Sequence, residues 1–120
     1  MTQAEKTLPF ALLARYWGLR PRLQSCLARL RQHTAPTAPA NAVEQALVAE
    51  LIREARAITS RDSFGRALPL LPPGPAISRS ALLARLEEAE TALVAFQALY
   101  HGGVEVEPED EDAPYWRVEP

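Results

Sequence analysis

Residues 78–101, SRSALLARLEEAETALVAFQALYH, decide the fold class of this chain. Leu82, Leu86, Ala89, Leu93, Phe96 and Tyr100 recur at alternating steps of four and three, which puts them on one stripe of a helix. Strong helix formers such as Ala84, Arg85, Glu87 and Gln97 fill the intervals. Ser78 or Ser80 is placed to cap the first turn, because a serine oxygen accepts from its orphan amides. Gly102 suits the left-handed position just beyond the end. At about 1.5 Å per residue such a helix is about 35 Å long, the width of a small domain. An apolar stripe of that length needs partners to cover it.

Two other segments offer matching faces. Asn41 and Glu44 form an Asn-x-x-Glu capping signal, and the helix they open is expected to run to about Ile58. Its apolar residues, from Val43 through Leu47, Val48, Leu51, Ile52 and Ala55 to Ile58, spread over about half the helix circumference. That breadth predicts the most buried helix of the domain. Upstream, Leu12, Tyr16, Leu19, Leu23, Cys26 and Leu30 repeat the four-three spacing of residues 78–101. Pro21 removes an amide and crowds the carbonyl of Trp17, so a break is expected around Gly18–Arg20. The prediction is a short helix near Leu8–Trp17 and a second near Pro21–His33.

The connections have their own character. Thr34–Ala40 (TAPTAPA) is a Pro/Ala linker. Thr59–Ile77 carries prolines at 69, 72, 73 and 75, which forbid a regular helix there. Its Leu68, Leu70, Leu71 and Ile77 are too apolar for a solvated linker, and predict a strap laid across the helices. After Gly103, Val104–Glu107 alternates like a short strand, Pro108–Pro114 (PEDEDAP) is acidic, and Tyr115–Pro120 (YWRVEP) is aromatic. A small hairpin and an acidic tail with a docked aromatic end are both compatible with that pattern; docking is preferred, since Tyr115 and Trp116 are costly to leave in water. The expectation is an all-α fold, a small three- to four-helix antiparallel bundle over residues 1–103 with a Pro/Leu-rich loop, followed by an acidic C-terminal tail over 104–120.

Composition narrows the function classes. A chain of 120 residues is expected to form one domain without metal or disulfide support. Cys26 is the single cysteine, which excludes an intramolecular disulfide and a cysteine-rich zinc site. No apolar run approaches the ~20 residues of a membrane span and no secretory signal is visible, so a reducing, cytoplasmic setting without membrane contact is expected. The net charge of −2 is unevenly distributed: ten basic against five acidic residues over 1–66, and three against ten over 67–120. Twelve of the thirteen basic residues are Arg, which together with the Ala and Pro content reads as a GC-rich, bacterial coding bias.

No catalytic constellation emerges. Cys26 and His33 are seven apart, about 10 Å along a helix, too far for a nucleophile–base pair or a shared metal. His33 and His101 sit where helices end, and favour the partial charge there. Glu87, Glu88 and Glu90 span several faces and do not form a carboxylate dyad. There is no metalloprotease helix, no phosphate-binding glycine loop and no nucleophile elbow. The chain is therefore expected to be no enzyme and to need no cofactor or metal.

Interaction signals remain. Leu83, Val94 and Leu99 add apolar surface beside the stripe of residues 78–101, and with Tyr115 and Trp116 they are the candidate partner-binding residues. Arg15, Arg22 and Arg29 recur at steps of seven with Arg20 and Arg31 nearby, a possible phosphate-binding edge beside Tyr16 and Trp17. The same arginines are also placed to pair with Glu50, Glu54 and Glu90 on neighbouring helices. Arg66-Ala-Leu-Pro69-Leu-Leu-Pro72 matches the RxxPxxP pattern of SH3-type ligands, a shallow signal. The expected function is a non-catalytic protein–protein interaction module (adaptor, assembly factor or accessory subunit), self-associating or part of a larger complex. The alternative is an accessory subunit of a nucleoprotein complex, contacting phosphates through the Arg-rich N-terminal region.

Overall fold

In the computed structural model, residues 7–32, 37–72, 77–100 and Trp116 are described. The described residues form four helices and no strand: α1 Phe10–Arg31, α2 Ala42–Thr59, the single turn α3 Ser63–Arg66, and α4 Arg79–Tyr100. The fold is all-α.

α4 follows its sequence pattern. All six stripe residues from Leu82 to Tyr100 are buried, joined by Ala92. The Ser78 hydroxyl caps its start, accepting from the Ala81 amide at 3.1 Å. α2 begins with the reciprocal capping box its sequence announces. The Glu44 amide donates to Asn41 Oδ1 at 2.7 Å, and the Asn41 amide donates to Glu44 Oε1 at 3.0 Å. Val43, placed on its apolar arc by periodicity, is instead 78% exposed in the first turn. α2 buries six of its 18 residues, a fraction close to the seven of 22 in α1 and in α4.

The expected break at Gly18–Arg20 does not occur. α1 runs unbroken through Gly18 and Pro21 for 22 residues. An interior proline costs about 3 kcal/mol and a glycine about 1 kcal/mol. A continuous helix keeps Leu23, Cys26, Leu27 and Leu30 on the stripe that Leu13, Tyr16 and Leu19 begin, all of them buried. Each buried leucine contributes roughly 1.5–3 kcal/mol, so core packing outweighs the local penalty. Pro21 itself is exposed, which leaves the Trp17 carbonyl it orphans on the watered side.

Paired residues fix the helix directions. Arg15 pairs with Glu54 and Arg22 with Glu50, ascending along α1 while descending along α2. Tyr16 bonds Gln97, Gln24 bonds Glu90 and Arg31 pairs with Glu87, the same descent along α4. α1 therefore opposes both partners, and α2 and α4 run side by side in one direction, which an all-antiparallel arrangement of neighbours does not anticipate. Their starts are clamped together by a bridge between Pro39 and Ser78, where the Ala40 amide donates to the Ile77 carbonyl at 2.8 Å and the Arg79 amide to the Ala38 carbonyl at 2.9 Å. Arg79 also reaches Glu44 at 3.4 Å.

The connection from α2 to α4 must return the length of the bundle, and its first part holds the turn of α3, which the proline content conceals because the prolines begin only at Pro69. The Asp62 amide donates to the Thr59 carbonyl at 3.1 Å. The buried Asp62 carboxylate accepts the Tyr100 hydroxyl at 2.7 Å, tying the turn to the end of α4. Gly65 packs so closely on Thr59 that a Cβ there would collide with the Thr59 carbonyl. Beyond it, Leu68 is buried, Leu71 and Ile77 rest partly buried on the core, and Leu70 is exposed. The expected end signals His33, His101 and Gly102, and residues 104–115, lie outside the described residues.

Burial and the bond to Asp62 push the Tyr100 hydroxyl up to about 12. Its ordinary value near 10 holds in the unfolded chain, so this stabilisation is complete below about pH 10 and lost as pH rises towards 12. Tyr100→Phe is expected to lower unfolding free energy by about 1–3 kcal/mol at pH 8. The difference between wild type and variant should shrink from pH 10 to 12 in urea titrations. A difference that stays constant with pH would contradict the assignment.

Candidate protein-docking face

The continuity of α1 creates a surface that a broken helix would not have. At about 100° per residue, Phe10, Ala11, Ala14, Trp17, Gly18, Pro21, Ser25 and Ala28 fall within about 120° of arc opposite the buried stripe. All eight are exposed and uncharged, and exposed Arg29, at the bearing of Ala11, marks the edge of the arc. The outward positions of α2 include Glu50 and Arg53, and those of α4 include Arg85. Solvent-facing helix surfaces are ordinarily polar, so the outer face of α1 departs from the rule.

Two aromatic side chains dominate this face. Phe10 is 61% exposed and Trp17 50% exposed, and their rings meet edge to face at 6.1 Å. A Cβ built on Gly18 meets nothing within 4 Å among the described residues, so none of their contacts requires glycine there. Pro21 likewise points to solvent. The helix thus carries its two least favourable residues beside its exposed tryptophan, with no packing among the described residues to explain either. Local rules broken in this way make the outer face of α1 a candidate site.

Arginines border the face on both sides, and glutamates of the neighbouring helices answer most of them. On the α2 side, Arg15 reaches Glu54 at 3.1 Å and Arg22 reaches Glu50 at 3.8 Å. On the α4 side, Arg31 reaches Glu87 at 3.1 Å and Glu90 at 3.8 Å. These pairs are largely exposed, each worth at most about 1 kcal/mol, but they leave the rims close to neutral. Arg20 differs: its guanidinium carbon lies 5.8 Å from the Tyr16 ring centroid, and one buried guanidinium nitrogen has no hydrogen-bond partner among the described residues. Arg29 is exposed near the end of α1, beside Val43 and Leu47.

The residues nominated on α4 do not share one surface. Val94 is half exposed and Leu83 partly buried on one flank, while Leu99 lies about 140° of arc from Val94 and packs on the core. Trp116 packs against the domain itself, 4.8 Å from the Tyr16 ring and 6.2 Å from that of Phe96. Tyr115 lies outside the described residues. Phe10, Gly18 and Pro21 were missed as a site, because the expected break dismissed the very geometry that unites them; the signal available was the run of uncharged residues at positions 10, 14, 17, 18, 21, 25 and 28.

Chemistry inside the bundle is quiet. Burial pushes the Cys26 thiol up, which keeps it protonated and a poor nucleophile. Burial likewise pushes the Tyr16 hydroxyl up, opposed by Arg20. Among the described residues no three His, Cys, Asp or Glu side chains gather as a metal cage, and no helix is long and apolar enough to cross a membrane. No protein-family model, no curated protein and no solved structure matches the chain.

Because Gly18 faces open space, Gly18→Ala should stabilise the free protein by about 1 kcal/mol. That corresponds to a melting temperature about 4 °C higher, measured by circular dichroism. A lower melting temperature would show that Gly18 is needed within the fold.

Proposed function

We propose that this chain is a non-catalytic protein–protein interaction module, an adaptor, assembly factor or accessory subunit that docks through the outer face of α1. One observation carries the reading: Phe10 and Trp17 stand exposed on an outer helix face that also holds Gly18 and Pro21, with Arg29 at its edge. An aromatic anchor beside small residues is the composition of a helix-packing hot spot, since large side chains supply contact area and small ones admit a partner closely. The bundle of α1, α2 and α4, braced by its Pro/Leu-rich connection, presents that face rigidly, which lowers the ordering cost of binding. A cytoplasmic setting accords with the single buried thiol.

The alternative, phosphate contact through Arg15, Arg20, Arg22, Arg29 and Arg31, has less support. Three of these arginines already pair with glutamates, and a phosphate would have to compete with them.

The reading is tested by placing a photocrosslinking amino acid at position 14, between Phe10 and Trp17, and irradiating living cells that express the full chain. An adduct with protein, lost in the Trp17→Ala background and absent from a probe at position 53 on α2, is the expected result. Equal or no crosslinking at both positions overturns the docking reading.

A further inference from the structure

We infer that the groove holding Trp116 is a second ligand site, which takes a peptide segment presenting an aromatic ring and, two or three residues away, a carboxylate. Trp116 of this chain fills its aromatic half. The site lies between α1 and α4 and is separate from the outer face of α1.

Residues of both helices build the groove. The Tyr16 hydroxyl donates to Gln97 Oε1 at 3.0 Å, and Gln24 donates to Glu90 Oε2 at 2.8 Å, two rungs across the seam between α1 and α4. Between these rungs α1 holds Arg20, while residues 91–96 of α4 contain no acid and include the half-exposed Val94. Arg15, Arg22 and Arg31 each pair with a glutamate of a neighbouring helix. Arg20 is different. Its guanidinium carbon lies 5.8 Å from the Tyr16 ring centroid, and one of its nitrogens is buried with no hydrogen-bond partner among the described residues. A buried cationic donor without an acceptor is unfavourable, and a carboxylate is among the groups that satisfy it most strongly.

Trp116 shows what the rest of the groove accepts. Its ring lies 4.8 Å from that of Tyr16, edge to face, and 6.2 Å from that of Phe96. It arrives on a connection of fifteen residues, 101–115, that begins where α4 ends. Phe96 stands one turn before Tyr100, so the ring returns close to the start of its own connection. Fifteen extended residues reach about 50 Å, several times what that return requires. Trp116 belongs to none of the four helices, so its withdrawal breaks ring contacts and no helix hydrogen bond.

The spacing of the ligand follows from the two ends of the site. Ring and guanidinium both lie against Tyr16, and Arg20 is one turn, about 6 Å, further along α1. An extended segment advances about 3.3 Å per residue, so two or three residues carry it from one end to the other. In this sequence Glu119 follows Trp116 by three positions, which makes the chain's own segment a suitable probe.

The connection also sets the strength of closure. A tether of this length holds Trp116 at an effective concentration on the order of 1 mM. One aromatic anchor with one charged contact gives a short peptide a midpoint on the order of 100 μM. A free peptide should bind the wild type about 10-fold more weakly than a chain whose own ring has been removed.

The test is a fluorescein-labelled peptide of residues 113–119, APYWRVE, titrated against the full chain and followed by fluorescence polarisation. The Trp116→Ala chain should bind it with a midpoint on the order of 100 μM, and the wild type about 10-fold more weakly. Glu119→Gln in the peptide should weaken binding to the Trp116→Ala chain about 10-fold. That loss should vanish when the chain also carries Arg20→Gln. Circular dichroism reports whether Trp116→Ala keeps its helix content; where it does not, the wild-type titration at millimolar peptide decides. Equal binding by wild type and Trp116→Ala, or no binding by either at millimolar peptide, overturns the site. A Glu119→Gln loss that persists in the Arg20→Gln chain, or no such loss at all, overturns the pairing of carboxylate with Arg20 and the proposal with it.

Discussion

The stripe from Leu82 to Tyr100 has to leave water, and the rest of the structure is arranged around that requirement. Its six large and small apolar groups, all buried, need cover from two sides at once. α2 supplies one side and α1 the other, with Tyr16 stacked on Phe96 at 5.6 Å and Phe96 in turn on Tyr100 at 4.8 Å. Trp116 closes the same aromatic group from the far end of the chain. Burial of this kind is the dominant favourable term in folding, and it dictates what the local sequence must tolerate.

Two compromises follow. α2 and α4 run in the same direction, so the chain has to return the length of the bundle between them. The Asp62–Tyr100 bond and the tight approach of Gly65 to Thr59 hold the beginning of that return in place. The second compromise is in α1, which can cover the stripe only as a continuous helix. It therefore threads Gly18 and Pro21 through its middle at a local cost of about 4 kcal/mol. Both residues lie on the outward face of α1, on the side of Trp17.

Much of this was legible in the residues alone. The stripe of α4, its serine cap and the Asn41–Glu44 box are local signals, carried by spacing and by hydrogen-bonding groups within one turn. The pairing of Arg15, Arg22 and Arg31 with Glu54, Glu50 and Glu90 was legible as one of two uses for those arginines. What stayed hidden depended on tertiary context. Pro21 reads as a breaker unless the burial of Leu23 through Leu30 is known, and periodicity does not weigh those energies. α3 is a single turn fixed by the adjacent Thr59 and Asp62 and by Tyr100, which lies 38 residues beyond Asp62. The outer face of α1 needed the helix to be whole before Phe10, Trp17 and Pro21 shared a side. The flank expected at Leu83, Val94 and Leu99 divided because helix geometry sends Leu99 to the opposite edge.

The central claim is that the outer face of α1 is covered when the protein is at work. Hydroxyl-radical footprinting reads this directly, by comparing oxidation of Phe10 and Trp17 in dilute purified protein and inside expressing cells. Protection of both residues in cells, with Val43 and Val94 equally reactive in the two settings, is the result this account predicts. Phe10 and Trp17 as reactive in cells as in dilute solution would contradict it.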